Sequence, residues 1–224
     1  VIWIITSPER IHDEEKIIES LLSAGVARIL LRKPNWSTEQ YAALLDQLPP
    51  AYYNRLLIRD QPALAAAYGL AGVHWSGEGI RQLAVAEKAN TGIVDAQDNQ
   101  PDATHLTKQP AHYTSPENAK ENSTGIHSIE EITLTDTRIH TLLLSPAFNS
   151  ISKPGYEGQF GKQLLNKNNR QILALGGVDH TNIALLKQWH FDGAALLGAI
   201  WKTPAYAVEN YYRIQELWNK SDLS

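Results

Sequence analysis

The amino-acid sequence predicts an α/β protein: one TIM (β/α)8 barrel, a single domain over residues 1–224. Short β-branched or Leu-rich runs alternate with stretches of helical periodicity, giving about eight βα units. The strand-like runs lack strict alternation, as expected of parallel strands buried on both faces. No Pro-, Gly- or Ser-rich linker divides the chain. An open doubly wound sheet is the second architecture this pattern permits.

The elements follow in order. Val1–Thr6 reads as a strand. Glu14–Ala24 reads as a helix, with Ile17, Ile18, Leu21 and Leu22 at helical spacing and Gly25 as its stop. Arg28–Arg32 is the next strand. Ser37 and Gln40 form a capping-box pattern that opens a helix through Leu48, before Pro49-Pro50. Leu56–Asp60 is a strand; Pro62 suits an early helical position and Gly69 a helix end. Gly72–Trp75, Thr124–His127, Thr141–Ser145, Gln171–Leu175 and Gly193–Leu197 complete the strands, and Tyr206–Lys220 is the last helix. Residues 76–122 break the rhythm. Ile80–Asn90 is helix-like and a polar stretch follows, which reads as an extended irregular segment of the same domain and not as a second one.

Composition narrows the function classes. Hydrophobic residues make up 43% and charged residues 20%, as in an ordinary soluble globular protein. The net charge of −4 gives no bulk attraction to nucleic acid or to an anionic membrane. With 0 Cys there is no disulfide, thiolate metal site or Cys nucleophile. No apolar run approaches the roughly 20 residues of a membrane span, and the first residues lack the basic n-region and cleavage site of a secretory signal, so the expected location is cytoplasmic.

In such barrels ligands bind at the C-terminal ends of the strands. Thr6, Arg32-Lys33, Asp60, His74, His127, Ser145, Gly176-Gly177 and Gly198-Ala199 stand at or near those ends. Gly176-Gly177 and Gly198-Ala199 follow strands seven and eight, where barrel phosphate sites are common. Glycines let the backbone approach an anion, and helix N-termini aim N–H groups at it. Each pair also has a plain reading, as a tight turn or as close helix packing. Ser150, Ser152 and Lys153 put two hydroxyls and a cation on one loop, able to close over an anion or to be ordinary solvated surface. Arg32 ends an apolar run, where its charge needs a partner: a carboxylate such as Asp60, or a ligand phosphate. Asp60 also suits the N-cap of the Pro62 helix. His127 can exchange protons near neutral pH, or simply precede a helix that Ser128 caps. His74, between Val73 and Trp75, reads as structural or ligand-packing.

Taken in chain order, Ile4-Ile-Thr6, Leu30-Leu-Arg-Lys33, Ile58-Arg-Asp60, Gly72-Val-His-Trp75, Gly125–Glu131, Ser145–Tyr156, Ala174-Leu-Gly-Gly177 and Gly193–Ile200 resemble the thiamine phosphate synthase/TenI family. The resemblance runs from end to end, apart from the 76–122 region. It implies a barrel that binds a small phosphorylated thiazole or thiamine-related ligand, with phosphate contacts at Gly176, Gly177, Gly198 and Ala199 and with Ser150, Ser152 and Lys153 on the loop above. A synthase of this family joins an aminopyrimidine diphosphate to thiazole phosphate, with Mg²⁺ bridging the diphosphate. This chain departs where that chemistry is built. Leu30 replaces a Gln; Arg32 is kept; Pro34 replaces a Lys, with Lys33 beside it. Arg59-Asp60 replaces an Asn-Asp pair, leaving Asp60 as the metal-side acid if the chain is a synthase. A second Asp falls at about Gly79, beside Glu78.

The TenI-like branch fits better. Its Ser-Val-His-Ser-Leu-Glu-Glu-like motif matches Gly125-Ile-His127-Ser-Ile-Glu-Glu131, with Gly125 in place of a Ser. In thiazole tautomerases that His is implicated in the proton transfer that aromatises thiazole carboxylate phosphate. The resemblance therefore implies an enzyme with His127 as catalytic residue and with Arg32 and Lys33 among the substrate or phosphate contacts. It would need no metal or organic cofactor as a tautomerase, and Mg²⁺ as a synthase, the alternative activity. A non-catalytic binder of thiamine-related phosphates is the third reading. A homodimer is compatible with such barrels, whose exposed faces often pair. If Lys153 closes over the phosphate, Lys153→Ala weakens binding of the phosphorylated ligand in a calorimetric titration. Unchanged affinity removes Lys153 from the site.

Overall fold

A computed structural model of the chain describes residues 1–82, 121–148 and 167–220. Ser150, Ser152, Lys153 and most of the irregular segment at 76–122 lie outside the described residues. The strands are β1 (Ile2–Ile5), β2 (Arg28–Leu31), β3 (Leu56–Arg59), β4 (Gly72–Trp75), β5 (Glu121–Ile126), β6 (Thr141–Leu144), β7 (Gln171–Leu175) and β8 (Gly193–Leu196). They close into a barrel in sequence order. Every pair is parallel, and β1 seals against β8 through Trp3 opposite Ala195. The helices are α1 (Glu14–Ser23), α2 (Thr38–Leu45), α3 (Pro62–Tyr68), α4 (helical over 77–82, the edge of the described residues), α5 (Glu131–Leu134), α6 (Leu185–Gln188), α7 (Gly198–Trp201) and α8 (Ala207–Lys220). Among the described residues no helix is long and apolar enough to cross a membrane.

Local chemistry explains many of the boundaries. The capping box of α2 is formed: Gln40 N–H donates to Ser37 Oγ at 3.4 Å and Ser37 N–H to Gln40 Oε1 at 2.8 Å. Pro62 opens α3, and Gly69 closes it in the left-handed region at φ 63°. Three expectations shift. The α2 helix ends at Leu45, short of Leu48. The helix after β4 starts at residue 77, where Ser76 Oγ accepts Gly79 N–H, and not at Ile80. α5 starts at Glu131, beyond Ser128, and its Glu131 carboxylate reaches back to His127 N–H at 3.0 Å.

The largest shift concerns β5, which begins at Glu121 and not at Thr124. Asn122, Ser123 and Thr124 are polar yet buried. Hydropathy could not mark them as wall residues, because burial follows from bonds made only in the fold. Trp75 Nε1 donates to Asn122 Oδ1 at 2.9 Å, and Thr124 Oγ1 donates to the Trp75 carbonyl at 2.7 Å.

Each strand is buried on both faces. Trp3, Ile5, Leu30, Leu57, Leu143, Leu173 and Ala195 fill the barrel interior as one apolar cluster. Their neighbours in sequence, such as Ile4, Ile29, Leu31, Leu56 and Ile58, pack outward in the larger core that includes the helices.

Lys33 is corrected by this alternation. Expected among the phosphate contacts, it follows the inward-facing Arg32 and turns the other way, away from the cavity at the barrel mouth. Its Nζ is buried against both Glu14 carboxylate oxygens (2.6 and 2.7 Å) and the Glu9 carbonyl (2.9 Å), and lies 5.1 Å from the centroid of the Trp36 ring. Tyr41 hydroxyl accepts Lys33 N–H at 2.7 Å and donates to its carbonyl at 3.1 Å. Burial pushes the Glu14 carboxyl up and the Lys33 ammonium down, while their mutual attraction opposes both shifts. Removing one partner strands the other charge in the core. Lys33→Ala is therefore expected to cost about 3–5 kcal/mol in urea unfolding, with much of the loss recovered by replacing both Lys33 and Glu14 with Leu. A loss under about 1 kcal/mol would mean that the pair is dispensable.

Candidate active site at the barrel mouth

A cavity of about 680 Å³ opens at the C-terminal ends of the strands. Its wall carries Gly176, Gly177, Gly198 and Ala199 on the β7–β8 side, and Arg32, Arg59 and His74 on the β2–β4 side. In a closed eight-strand barrel these two sides face each other across the mouth. His127 and Ser145 line it from β5 and β6.

The glycine side is organised to present N–H groups. Gly176 and Gly177 have φ of 92° and 68°, a conformation that side chains disfavour. A Cβ on Gly176 would stand 3.2 Å from Pro146 Cα. The carbonyls are already engaged: Phe148 N–H donates to the Gly176 oxygen at 3.0 Å and Asn182 Nδ2 to the Gly177 oxygen at 2.8 Å. Among the described residues, no backbone acceptor takes the N–H of Gly176, Gly177, Gly198 or Ala199. Gly198 and Ala199 open α7, whose first amides have no partner within the helix. Trp201 Nε1 donates to the Ile5 carbonyl at 2.7 Å and ties α7 to β1. Amides left without backbone partners beside one cavity are the kind of donor an oxyanion takes.

The opposite side is cationic. Burial, and then the charge of Arg59, hold the Arg32 guanidinium below its ordinary value. Arg59 Nε donates to Asp60 Oδ2 at 3.3 Å, and Asp60 Oδ1 accepts Ser76 N–H at 2.8 Å. Of the two partners open to Arg32, a carboxylate such as Asp60 or a ligand phosphate, the carboxylate is engaged by Arg59, its chain neighbour. His74, buried on β4, lies 3.0 Å by Nδ1 from Ser123 Oγ. Burial, reinforced by Arg59, lowers its pKa to about 4, so it is neutral at pH 7.

His127 is held differently. Its Nδ1 lies 3.0 Å from the Ser145 carbonyl and 3.3 Å from Ser145 Oγ. A carbonyl partner requires Nδ1 to carry the proton, which leaves Nε2 as the basic nitrogen.

No family model matches the chain. Among curated proteins, it is 24% identical over 202 residues to the thiamine-phosphate synthase of Lysinibacillus sphaericus (strain C3-41), covering 84% of this chain and 82% of that one. The thiamine-phosphate synthase of Clostridium tetani (strain Massachusetts / E88) is 24% identical over 202 residues, with 84% and 81% covered. Among solved structures, a thiamine phosphate pyrophosphorylase from Bacteroides thetaiotaomicron superposes with a TM-score of 0.70 at 20% identity, covering 98% of each chain, a likeness of fold. The chain is similar to thiamine-phosphate synthases. These similarities support that family and the barrel fold that goes with it.

Against the synthase chemistry, the cavity can be tested for a divalent cation. Among the described residues no group of three or more His, Asp or Glu could hold a metal. Both Asp60 oxygens are engaged. At Gly79, a Cβ would stand 2.3 Å from Asp60 Oδ1 and 3.1 Å from the Trp75 ring, so a side chain there requires Asp60 to move. The neighbouring Glu78 is exposed and binds Arg81, with 2.5 Å to Nη2. The described residues do not fit Mg²⁺.

Of the expected site residues, the fold brings Arg32, His127, Gly176, Gly177, Gly198 and Ala199 to one cavity and keeps Asp60 at its edge behind Arg59. Sequence reasoning passed over Arg59 and Lys202, which line the same cavity. Each left a signal. Arg59 stands two residues beyond inward-facing Leu57, and Lys202 stands four beyond Gly198 on one helical face.

Neutral His74 makes a prediction about pH. From about pH 6.5 down to about 4 the unfolded chain takes up a proton on this residue that the folded chain refuses. Stability is therefore complete above about pH 6.5 and falls as the pH drops, by on the order of 3 kcal/mol. Urea midpoints across that window, compared with His74→Gln, isolate the contribution; parallel pH profiles for the two proteins would refute it.

Proposed function

We propose that the protein is a thiazole tautomerase of the thiamine phosphate synthase/TenI family, working in the cytoplasm on thiazole carboxylate phosphate. The observation that carries this reading is the position of His127. Its tautomer is set by the Ser145 carbonyl, and it lines the same cavity as Gly176, Gly177, Gly198 and Ala199, whose N–H groups have no backbone acceptor among the described residues. The phosphate anchors at those amides, which fixes the ring relative to His127. Nε2 removes a proton from one ring carbon as that C–H bond breaks, and the same proton returns to the ring system at a different position. The step is an isomerisation, with no electrons gained or lost, and it asks for one base rather than a cofactor.

The second reading is a thiamine phosphate synthase. It is favoured by the names of the sequence relatives. The engaged Asp60 and the crowded Gly79 position speak against it.

Incubating the protein with the thiazole carboxylate phosphate tautomer under NMR observation, then adding the aminopyrimidine diphosphate and Mg²⁺ to the same tube, separates these readings. Isomerisation before the addition supports the tautomerase. Thiamine phosphate formed only afterwards makes the chain a synthase, and silence at both stages makes it a binder. For the tautomerase, His127→Asn is expected to lower turnover by roughly 10²–10⁴-fold while ligand affinity holds. Undiminished turnover would take His127 out of the mechanism.

A further inference from the structure

Two arginines converge on the side of the cavity that faces the glycine amides. β2 and β3 pair with Leu30 opposite Leu57 and Leu31 opposite Ile58, so the next residues in register are Arg32 and Arg59. Leu30 and Leu57 point into the barrel, and the residues two further along point into its mouth, where both arginines line the cavity. Among the described residues Arg32 has no ion-pair partner, and the one carboxylate nearby, Asp60, is paired with Arg59. Among the described residues, two positive charges therefore share one negative charge in a partly buried place. That arrangement is costly when empty and becomes favourable once a further anion arrives. The repulsion is visible in Arg32, which burial and Arg59 together push down. The neighbouring His74, opposite Arg59 in the β3–β4 register, stays neutral and adds a ring nitrogen without adding charge.

We propose that Arg32 and Arg59 form a metal-independent subsite for a second oxyanion of the ligand, across the barrel mouth from the glycine amides. Arg59 takes the place that a divalent cation would need: its guanidinium engages Asp60 and supplies the positive charge itself. Guanidinium groups suit planar carboxylates and tetrahedral phosphates alike, both through paired N–H donors. The inference rests on the reading of this cavity as the site of a small phosphorylated ligand. It deepens that reading by requiring two anionic groups on the ligand and no metal between them. The occupant is either a carboxylate on the heteroaromatic ring or a phosphate of a diphosphate.

Titration calorimetry of the full chain in EDTA, with thiazole-2-carboxylate and inorganic pyrophosphate as separate probes, tests this. At least one probe binds without metal, and its identity gives the source of the oxyanion. Arg32→Gln and Arg59→Gln each weaken that binding by roughly tenfold or more, the scale of a lost charge-assisted hydrogen bond. Arg59→Lys keeps part of it, and Mg²⁺ does not strengthen it. If a Gln variant fails to fold, the Arg32→Lys and Arg59→Lys proteins are compared with the parent, and unchanged affinity in both overturns the subsite. It is also overturned if neither probe binds in EDTA, if binding appears only with Mg²⁺, or if folded Gln variants bind as tightly as the parent. Failure of the tautomerase reading looks different: probe binding persists, still dependent on both arginines, with no isomerisation of the thiazole substrate.

Discussion

Closing eight parallel strands into a ring gives each strand an inward row and an outward row, and both must be buried. The inward row sets what the mouth of the barrel can do. Its lower members, among them Trp3, Leu30, Leu57, Leu143 and Leu173, exclude water from the barrel interior. One pleat higher, the same rows emerge as Arg32, Arg59 and Ser145, and β4 contributes His74. The polar site thus has an apolar floor, which strengthens every electrostatic interaction above it. The alternation also removes Lys33 from the site, although it adjoins Arg32 in sequence. Its charge is spent on Glu14, which fastens the turn after β2 to α1.

The two sides of the mouth carry positive potential by different means. The glycine side has backbone dipoles: the peptides that carry the Gly176 and Gly177 N–H groups are held at their other ends, where Ala147 N–H donates to the Leu175 carbonyl and Phe148 N–H to the Gly176 carbonyl, and Trp201 links α7 to β1. Such donors are fixed before any ligand arrives and reorganise little when it does. The arginine side uses formal charge, in excess by one guanidinium over Asp60. His74 lies between these regimes, neutral because burial and the arginines disfavour its protonation. His127, exposed and held by Ser145, is the imidazole with room to exchange a proton.

The similarity to thiamine-phosphate synthases covers 84% of the chain, and on the arginine side two residues, Arg59 and Gly79, pack against the same carboxylate. They are physically coupled. A glycine at position 79 lets the first turn of α4 pack against Asp60, and Arg59 engages the other Asp60 oxygen. Asp60 thus has Arg59 on one oxygen and the Ser76 N–H on the other. A side chain at Gly79 would require Asp60 to move away from both of these partners.

Much of the fold was legible in the sequence because its signals are local. Capping at Ser37 and Gln40, the stop at Gly69 and the apolar runs of β1, β4 and β7 are each decided within a few residues. The strand-end glycines and His127 could be placed in one cavity because a parallel barrel gathers all strand ends at one face. Tertiary structure alone decided the rest. The first residues of β5 are polar and become wall only through Trp75. The choice between Arg32 and Arg59 as partner of Asp60, and the withdrawal of Lys33 to Glu14, depend on side-chain direction and distance between separate strands and helices. Sequence spacing records which groups are present at the barrel mouth; only the closed ring settles which charges neutralise one another and which remain for a ligand.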